Sequence, residues 1–505
     1  MANVSVRPSS FAVKAETTEG TLNLPTASSD FVALQDDLSL TPAFDTLENA
    51  ELKSSLGASA PIQGAENPTA SFSHYLRHSG TEGSAPNYGM ILKTAFGNED
   101  DAGVEHNTIA ASTTTVVKVD TGEGATYLRG QGLLVKHASN AYEIRCVDSV
   151  SSDDLTVSFA LNNAPGTGVD LGEAITYYPA NSGHQTVSLA HYLGNSGAIQ
   201  AIAGARVDNA TFTFPAGQLI NANYSFAGLE YFFNPIEITA TDTKLDFTDD
   251  GGTFAATITA QVYKDPHELA SALQTAMNAV ASETMTVTYS DTDGKYDITN
   301  TSGSTLSLLW NTGANAANTV GDKIGFSTAA NDTGATTYEG DNAITLSTPA
   351  TPSFDSSDPL SAKANELFIG DQADNACVSA NNVEVSIDLP TQLIDDICAD
   401  SGRSGSIVGS RAVTISVTGA YSQYDVDKFK RFRANDTTRF QYNFGTKSGG
   451  NWVAGKCGAL YAPNCKISEF EVVPNGDIFD VSMTLTAFVG TGNSLSNDEI
   501  FLTFL

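Results

Sequence analysis

Two stretches far apart in the chain share one alternating pattern, and that pattern limits what the chain can fold into. Over residues 205–228, Val207, Ala210, Phe212 and Phe214 give way after Gly217 to Ile220, Ala222, Tyr224 and Phe226. Over residues 411–424, Val413, Ile415 and Val417 alternate with Thr414, Ser416 and Thr418. Alternation of this kind turns one apolar face inward on a half-buried strand. The other face and the strand margins are left to water or to a partner. A chain built mainly this way is expected to be a scaffold or assembly unit rather than a compact enzyme.

At 505 residues the chain exceeds one compact core, so two to four domains are expected. Its 41% hydrophobic content is enough to fill such cores. Charge is the compositional outlier: 58 acids against 25 bases give a net −33. Such a surface repels nucleic-acid phosphates and anionic membranes, and it keeps a concentrated or polymeric protein soluble. The five cysteines (Cys146, Cys377, Cys398, Cys457 and Cys465) are odd in number and form no CxxC pair. They imply synthesis in a reducing compartment rather than a disulfide framework. No apolar run has the length of a signal-peptide core or a bilayer span, so a soluble protein made in the cytosol is expected.

Five segments are expected along the chain. Residues 1–103 open a sandwich. They hold a strand-like entry at Phe31, Leu34, Leu38 and Leu40, a long polar arm over 41–67, a strand over 69–78, and a short helix or strand over 88–96. Residues 104–179 read as an inserted small β-barrel of five strands, 116–120, 132–136, 142–150, 155–161 and 174–178. Residues 180–234 return to the long alternating strands. Residues 235–345 read as an inserted α+β unit of hairpin, helix and hairpin. Its first turn is placed at Gly251-Gly252 and its helix is capped by Asp265-Pro266-His267-Glu268. Leu269, Leu273, Ala276, Met277 and Val280 share one face of that helix. Residues 346–505 complete the sandwich, with a helix over 425–434 that turns Phe429 and Phe432 to the core and a closing EIFLTFL.

Candidate chemistry is sparse. His74 and His78 stand four apart, but on a strand that spacing separates them by about 13 Å, which argues against a shared metal. No GxSxG, HExxH or phosphate-cradling glycine loop occurs. Residues 447–450 and 291–294 read as hairpin turns. The acid pairs Asp36-Asp37, Asp249-Asp250 and Asp395-Asp396 are expected by chance in so acidic a chain and read as solvated. The one basic cluster, Lys428, Lys430, Arg431 and Arg433, is expected to pair with acids of a neighbouring subunit. Neither a catalytic constellation, a cofactor nor a metal is expected.

The phrases ARVDNATFTFPAGQLINANYSFAGLEYFF, RAVTISVTGAYSQYDVDKFKRF and EIFLTFL, with a polar arm over 41–67, resemble the major tail tube proteins of long, non-contractile phage tails. Residues 244–326 are similar to a module common in phage virion proteins, through DPHELASALQTAMNA, GKYDIT, LSLLWNTG and GDKIGF. The resemblance implies a mainly β fold: a tail-tube-type β-sandwich with one flanking helix, here 425–434, and two inserted units on the outer wall. It also implies stacked hexameric rings whose acidic lumen conducts DNA without binding it. The implied partners are further copies of the chain, the tape measure, the tail terminator and the tail tip. No membrane partner is implied, and the place of action is the virion tail after synthesis in the host cytoplasm. Glu48, Glu51, Leu52 and Lys53 on the arm, with Lys428, Lys430, Arg431 and Arg433, are the expected interface residues. The rivals are a trimeric adhesive or receptor-binding virion protein, a surface-layer protein, or a polysaccharide depolymerase with a carboxylate pair. Deleting residues 48–60 should leave a folded, soluble monomer that does not elongate, a result read by sedimentation and electron microscopy.

Overall fold

The computed structural model describes residues 9–51, 60–101, 105–137, 141–194, 197–346, 351–355, 357–421, 426–490 and 497–505. Leu52, Lys53, Gly103, Val104, Tyr424 and Asp425 therefore lie outside the described residues. The chain is mainly β structure, and seventeen of its described strands form one continuous hydrogen-bonded sheet.

That sheet folds over itself because its longest strands pass from one layer to the other. Ala198–Pro215 and Asn221–Ala227 pair antiparallel, with Phe212 opposite Ala222. The step from Val207 to Ala210, which breaks strict alternation in the sequence, is a bulge: the register shifts between Val207 and Asn209. The extra residue keeps the apolar side chains inward on both sides of the break. In space the first layer runs through Ser39–Thr41, Thr69–Tyr75, Asn221–Ala227, Ala198–Pro215, Asn382–Asp388, Ala412–Ala420 and Ile478–Ala487 to the far half of Asn451–Asn475. The second layer runs through Glu366–Gly370, Thr438–Ser448, the near half of Asn451–Asn475, Phe501–Phe504, Ile175–Pro179 and Gly97–Asp101. Phe212, Phe214, Tyr224, Ile415 and Leu485 face Phe440, Tyr442, Phe444 and Phe504 across the core. Phe214 and Tyr442 meet as tilted rings with centroids 4.5 Å apart. Removing one such ring would cost about 3–5 kcal/mol.

Helix α1 (Gly89–Phe96) fills the open end of this core with Ile91, Leu92, Ala95 and Phe96. A Cβ at Gly89 would come within 2.6 Å of the Tyr177 hydroxyl, so only glycine lets the helix approach that closely. Gly97, at φ +102, ends it by donating its N–H to Lys93. The helix expected to flank the sandwich was 425–434. α3 (Asp427–Ala434) does form, but none of its residues is buried, Phe429 is 46% exposed and Phe432 is half-buried. The buried helix is α1, which is apolar on nearly every side.

Residues 105–171 form a six-stranded sheet around Val117, Leu133, Val135, Val147, Leu155 and Leu171. The expected fifth strand, Ile175–Pro179, belongs instead to the large sheet, where it pairs with the C-terminal strand Phe501–Phe504. This unit is joined to the sandwich along a wide seam. Leu134, Ile144 and Cys146 pack on Trp452, Tyr461, Phe501 and Leu505. Gln441 and Asn443 donate to the Ile144 carbonyl at 3.2 and 3.1 Å. Asp148 accepts from Arg439 at 2.8 Å and from Tyr461 at 2.9 Å.

Residues 236–346 carry their own core, Leu245, Phe247, Leu273, Met277, Tyr296, Ile298 and Trp310 among its members. Asp265 caps α2 (Pro266–Asn278) by accepting the Glu268 N–H at 2.9 Å. Leu269, Leu273 and Met277 are buried and Ala276 is partly buried, but Val280 lies past the helix end and is 38% exposed. The first hairpin turns on Asp250-Gly251, with Asp249 opposite Gly252, one residue earlier than the Gly-Gly reading.

His74 is buried on Thr69–Tyr75 between Tyr88 and Tyr224, with ring centroids 4.3 and 5.5 Å away. Its Nδ1–H donates to the Tyr75 carbonyl at 3.0 Å, and Nε2 has no partner among the described residues. Burial pushes its pKa down to about 4. The unfolded chain takes up a proton near pH 6.5, whereas the folded chain refuses it until about pH 4. Stability is therefore lost as pH falls through that window, by about 3 kcal/mol in full. Denaturant unfolding of His74→Phe at pH 7 and pH 4 should show a smaller acid loss than the unaltered protein.

Candidate assembly surfaces

The first layer buries one face in the core and presents the other to solvent. Strand register aligns the outward side chains in rows. One row reads Asn223, Thr211, Ser386, Thr414 and Thr486 across five strands, and Ser73, opposite Asn223 on the sixth, is buried against Asp37. The next reads Asn221, Thr213, Glu384, Ser416, Thr484 and Glu469. Neighbours bond laterally: Thr211 donates to Asn209 at 3.0 Å, Asn209 to Ser386 at 3.1 Å, and Thr484 to Glu469 at 3.1 Å. Lys466, opposite Thr486 at the margin, is the only base these rows reach among the described residues. Against it stand Glu384, Asp388, Glu469 and Glu471. This is a hydrated face of hydroxyls, amides and carboxylates.

Two margins of that layer carry no further strand among the described residues. One is the outer side of Ser39–Thr41, and the other is the 468–475 reach of the projecting ribbon Asn451–Asn475/Ile478–Ala487. The ribbon exposes Val472, Ile478 and Phe479.

The polar arm proves to be paired at its base. Phe44–Leu47 and Ile62–Glu66 form a two-stranded ribbon. It is fixed to a second hairpin, Thr391–Asp395 with Arg403–Val408. Glu66 N–H donates to Ser401 at 2.9 Å, while Arg403 bonds Asp45 at 2.7 Å and also pairs with Asp395. The two ribbons together expose Phe44, Leu47, Ile62, Ile394, Ile397 and Ile407. Glu48 is exposed here, and Glu51 follows at the edge of the described segment.

α3 lies beside the projecting ribbon, with Phe429 and Phe432 centroids 5.5 and 6.3 Å from Phe470. The expected basic cluster divides in two. Arg431 is spent within its own chain on Asp427 (2.9 Å), Asp374 (2.8 Å) and Asp371 (3.1 Å), and Lys428 sits 3.3 Å from Asp427. Lys430 and Arg433 are exposed, with no acid in ion-pair range among the described residues. Among the described residues no ion pair joins Glu48 to the basic set. The sequence named the polar side of these strands, displayed by Thr414, Ser416 and Thr418, as left to water or a partner, but not the rows that register builds from several strands.

The acid pairs serve local structure. Asp37 accepts the Ser73 N–H at 3.0 Å. Asp249, read as solvated, is buried and accepts N–H groups of Gly251 (2.7 Å), Ser282 (2.9 Å) and Glu283 (3.1 Å). Among the described residues no three His, Cys, Asp or Glu side chains gather as a metal cluster. A cleft of about 510 Å³ is lined by Arg206, Arg411, His184 and Glu499, which is not a pair of facing carboxylates.

No family model and no curated protein matches the chain. Among solved structures it is similar to a chain of the virion of a native gene transfer agent particle, at 14% identity and TM-score 0.19, over 26% of this chain and 95% of that one. It is similar to a chain of the tail of an empty gene transfer agent particle with C6 symmetry, at 13% and 0.19, over 25% and 92%. It is also similar to a chain of the SPP1 tail tube, at 12% and 0.19, over 28% and 77%.

Replacing Arg431 by Ala should release α3 from Asp371 and Asp374, and break its own pair with Asp427, at a cost of about 1 kcal/mol, because those partners face solvent. Hydrogen exchange over 427–434 should speed up several-fold, while Arg433→Ala leaves it unchanged.

Proposed function

We propose that this chain is a non-catalytic structural subunit of a virion tail. Copies join margin to margin into hexameric rings, and rings stack into a tube that conducts DNA. The observation that carries the reading is the outward face of the first layer. Its rows across the sheet bear hydroxyls, amides and four carboxylates, with one base at the margin. Proteins that hold DNA meet its phosphates with lysine and arginine; a wall built to let it pass must lack them. Closing sheets into a barrel also needs margins without a partner, and this layer has two.

Negative-stain microscopy of the purified chain should reveal hollow rods of uniform width. Rods of Ser416→Lys/Thr484→Lys should retain DNA added during assembly, with retention falling steeply as salt rises, whereas unaltered rods retain none. Discrete trimers at every concentration would favour the adhesive reading instead. Lysine-bearing rods indifferent to DNA would remove this face from the bore.

A further inference from the structure

Helix α3 carries a stripe that the described residues of its own copy leave largely open, although the ring of Phe429 also meets Phe470. Val426 at its N-cap, Phe429, Lys430 and Arg433 stand three or four residues apart and so share one side. Val426 is 59% and Phe429 46% exposed, and the two cations beside them have no acid in range among the described residues. On the projecting ribbon beside it, Ile478 and Phe479 are exposed as well. In a chain of net −33, most surfaces repel a second copy; this stripe is a place where an acid can land.

The matching chemistry lies at the other end of strand Ala412–Ala420. Its Ala420 end pairs with Asp480, beside the ribbon and α3. Its Ala412 end pairs with Asp388, just before the hairpin over 391–408. The tip of that hairpin presents Ile397 wholly exposed, with Asp396 and Asp400 on either side of it in sequence. Nine strand residues separate the two ends by about 30 Å, so a copy does not fill its own stripe.

We infer that the acid-and-isoleucine tip of the 391–408 hairpin in one copy docks on the Val426–Phe429–Lys430–Arg433 stripe of the next. The inference rests on the reading of the chain as a self-assembling subunit, and it names the contact along the strand direction. Because tip and stripe are different surfaces at opposite ends, the contact is head-to-tail and repeats from copy to copy.

Two variants invert the charge pattern at exposed positions that form no ion pair among the described residues: Ile397→Lys/Asp400→Lys on the tip and Lys430→Glu/Arg433→Glu on the stripe. Each alone should raise the concentration needed for association at least 10-fold, and an equimolar mixture should restore it, because each reversed tip then meets a reversed stripe. A mixture that fails to recover, or variants that associate normally, would overturn the contact. Cys398 on the tip is free and exposed. With Arg433→Cys in a Cys377→Ser background, oxidation should yield covalent multimers that Cys398→Ser abolishes. Associated copies without that cross-link would sink the inference and leave the tube reading standing. Cross-linked chains from a protein that never forms rods would support the contact and sink the tube.

Discussion

The structure depends on burying one side of long alternating strands while leaving the other side wet. Phe212, Ile415 and Leu485 point into the sandwich, and Thr211 or Thr213, Ser416 and Thr484 point out, on the same three strands. Because side-chain direction has a period of two, a slip of one residue would exchange the two sets. The register that fills the core therefore also composes the outer surface. Substitutions on the outward face fall on every second residue and leave the core residues between them untouched.

Much of this was legible before any coordinates. The strand runs, the capped helix after Asp265 and the turn at Gly449-Gly450 each follow from a local signal, and each is present. The two helices that flank the sandwich were harder. Residues 88–96 are apolar on nearly every side and too short for periodicity to separate a buried helix from a buried strand. Residues 427–434 are amphipathic, but Lys430, Arg433 and Phe429 are exposed, and only partly buried side chains meet the sandwich. The seam at Ile144 was invisible for another reason. Its partners Gln441 and Asn443 are almost three hundred residues away, and no local pattern predicts a pairing at that range.

The candidate surface was half legible. Thr414, Ser416 and Thr418 displayed a polar side, but their neighbours Ser386, Glu384 and Thr484 come from strands placed beside them only by the fold. Whether a polar strand face belongs to a broad base-poor wall or to an isolated rim is a property of several strands together. The arm shows the same limit. Its polar, loop-like text hides a ribbon whose base is held by Arg403 and Ser401, more than 330 residues on.

The distribution of charge shows how the proposed self-association is compatible with an acidic surface. Bases in this chain are few, and several are neutralised internally: Arg431 on three carboxylates, Arg439 on Asp148, Arg403 on Asp45 and Asp395. Each pins one element to another, as α3 to the Asp371 loop or the arm to its neighbouring hairpin. The acids left over keep free copies apart, a repulsion that salt at about 0.1 M largely screens beyond about 10 Å. Lys430 and Arg433 escape this internal use and sit beside exposed apolar side chains. A protein whose surface repels itself almost everywhere gains directional association from a small number of such places, since repulsion elsewhere suppresses the wrong contacts.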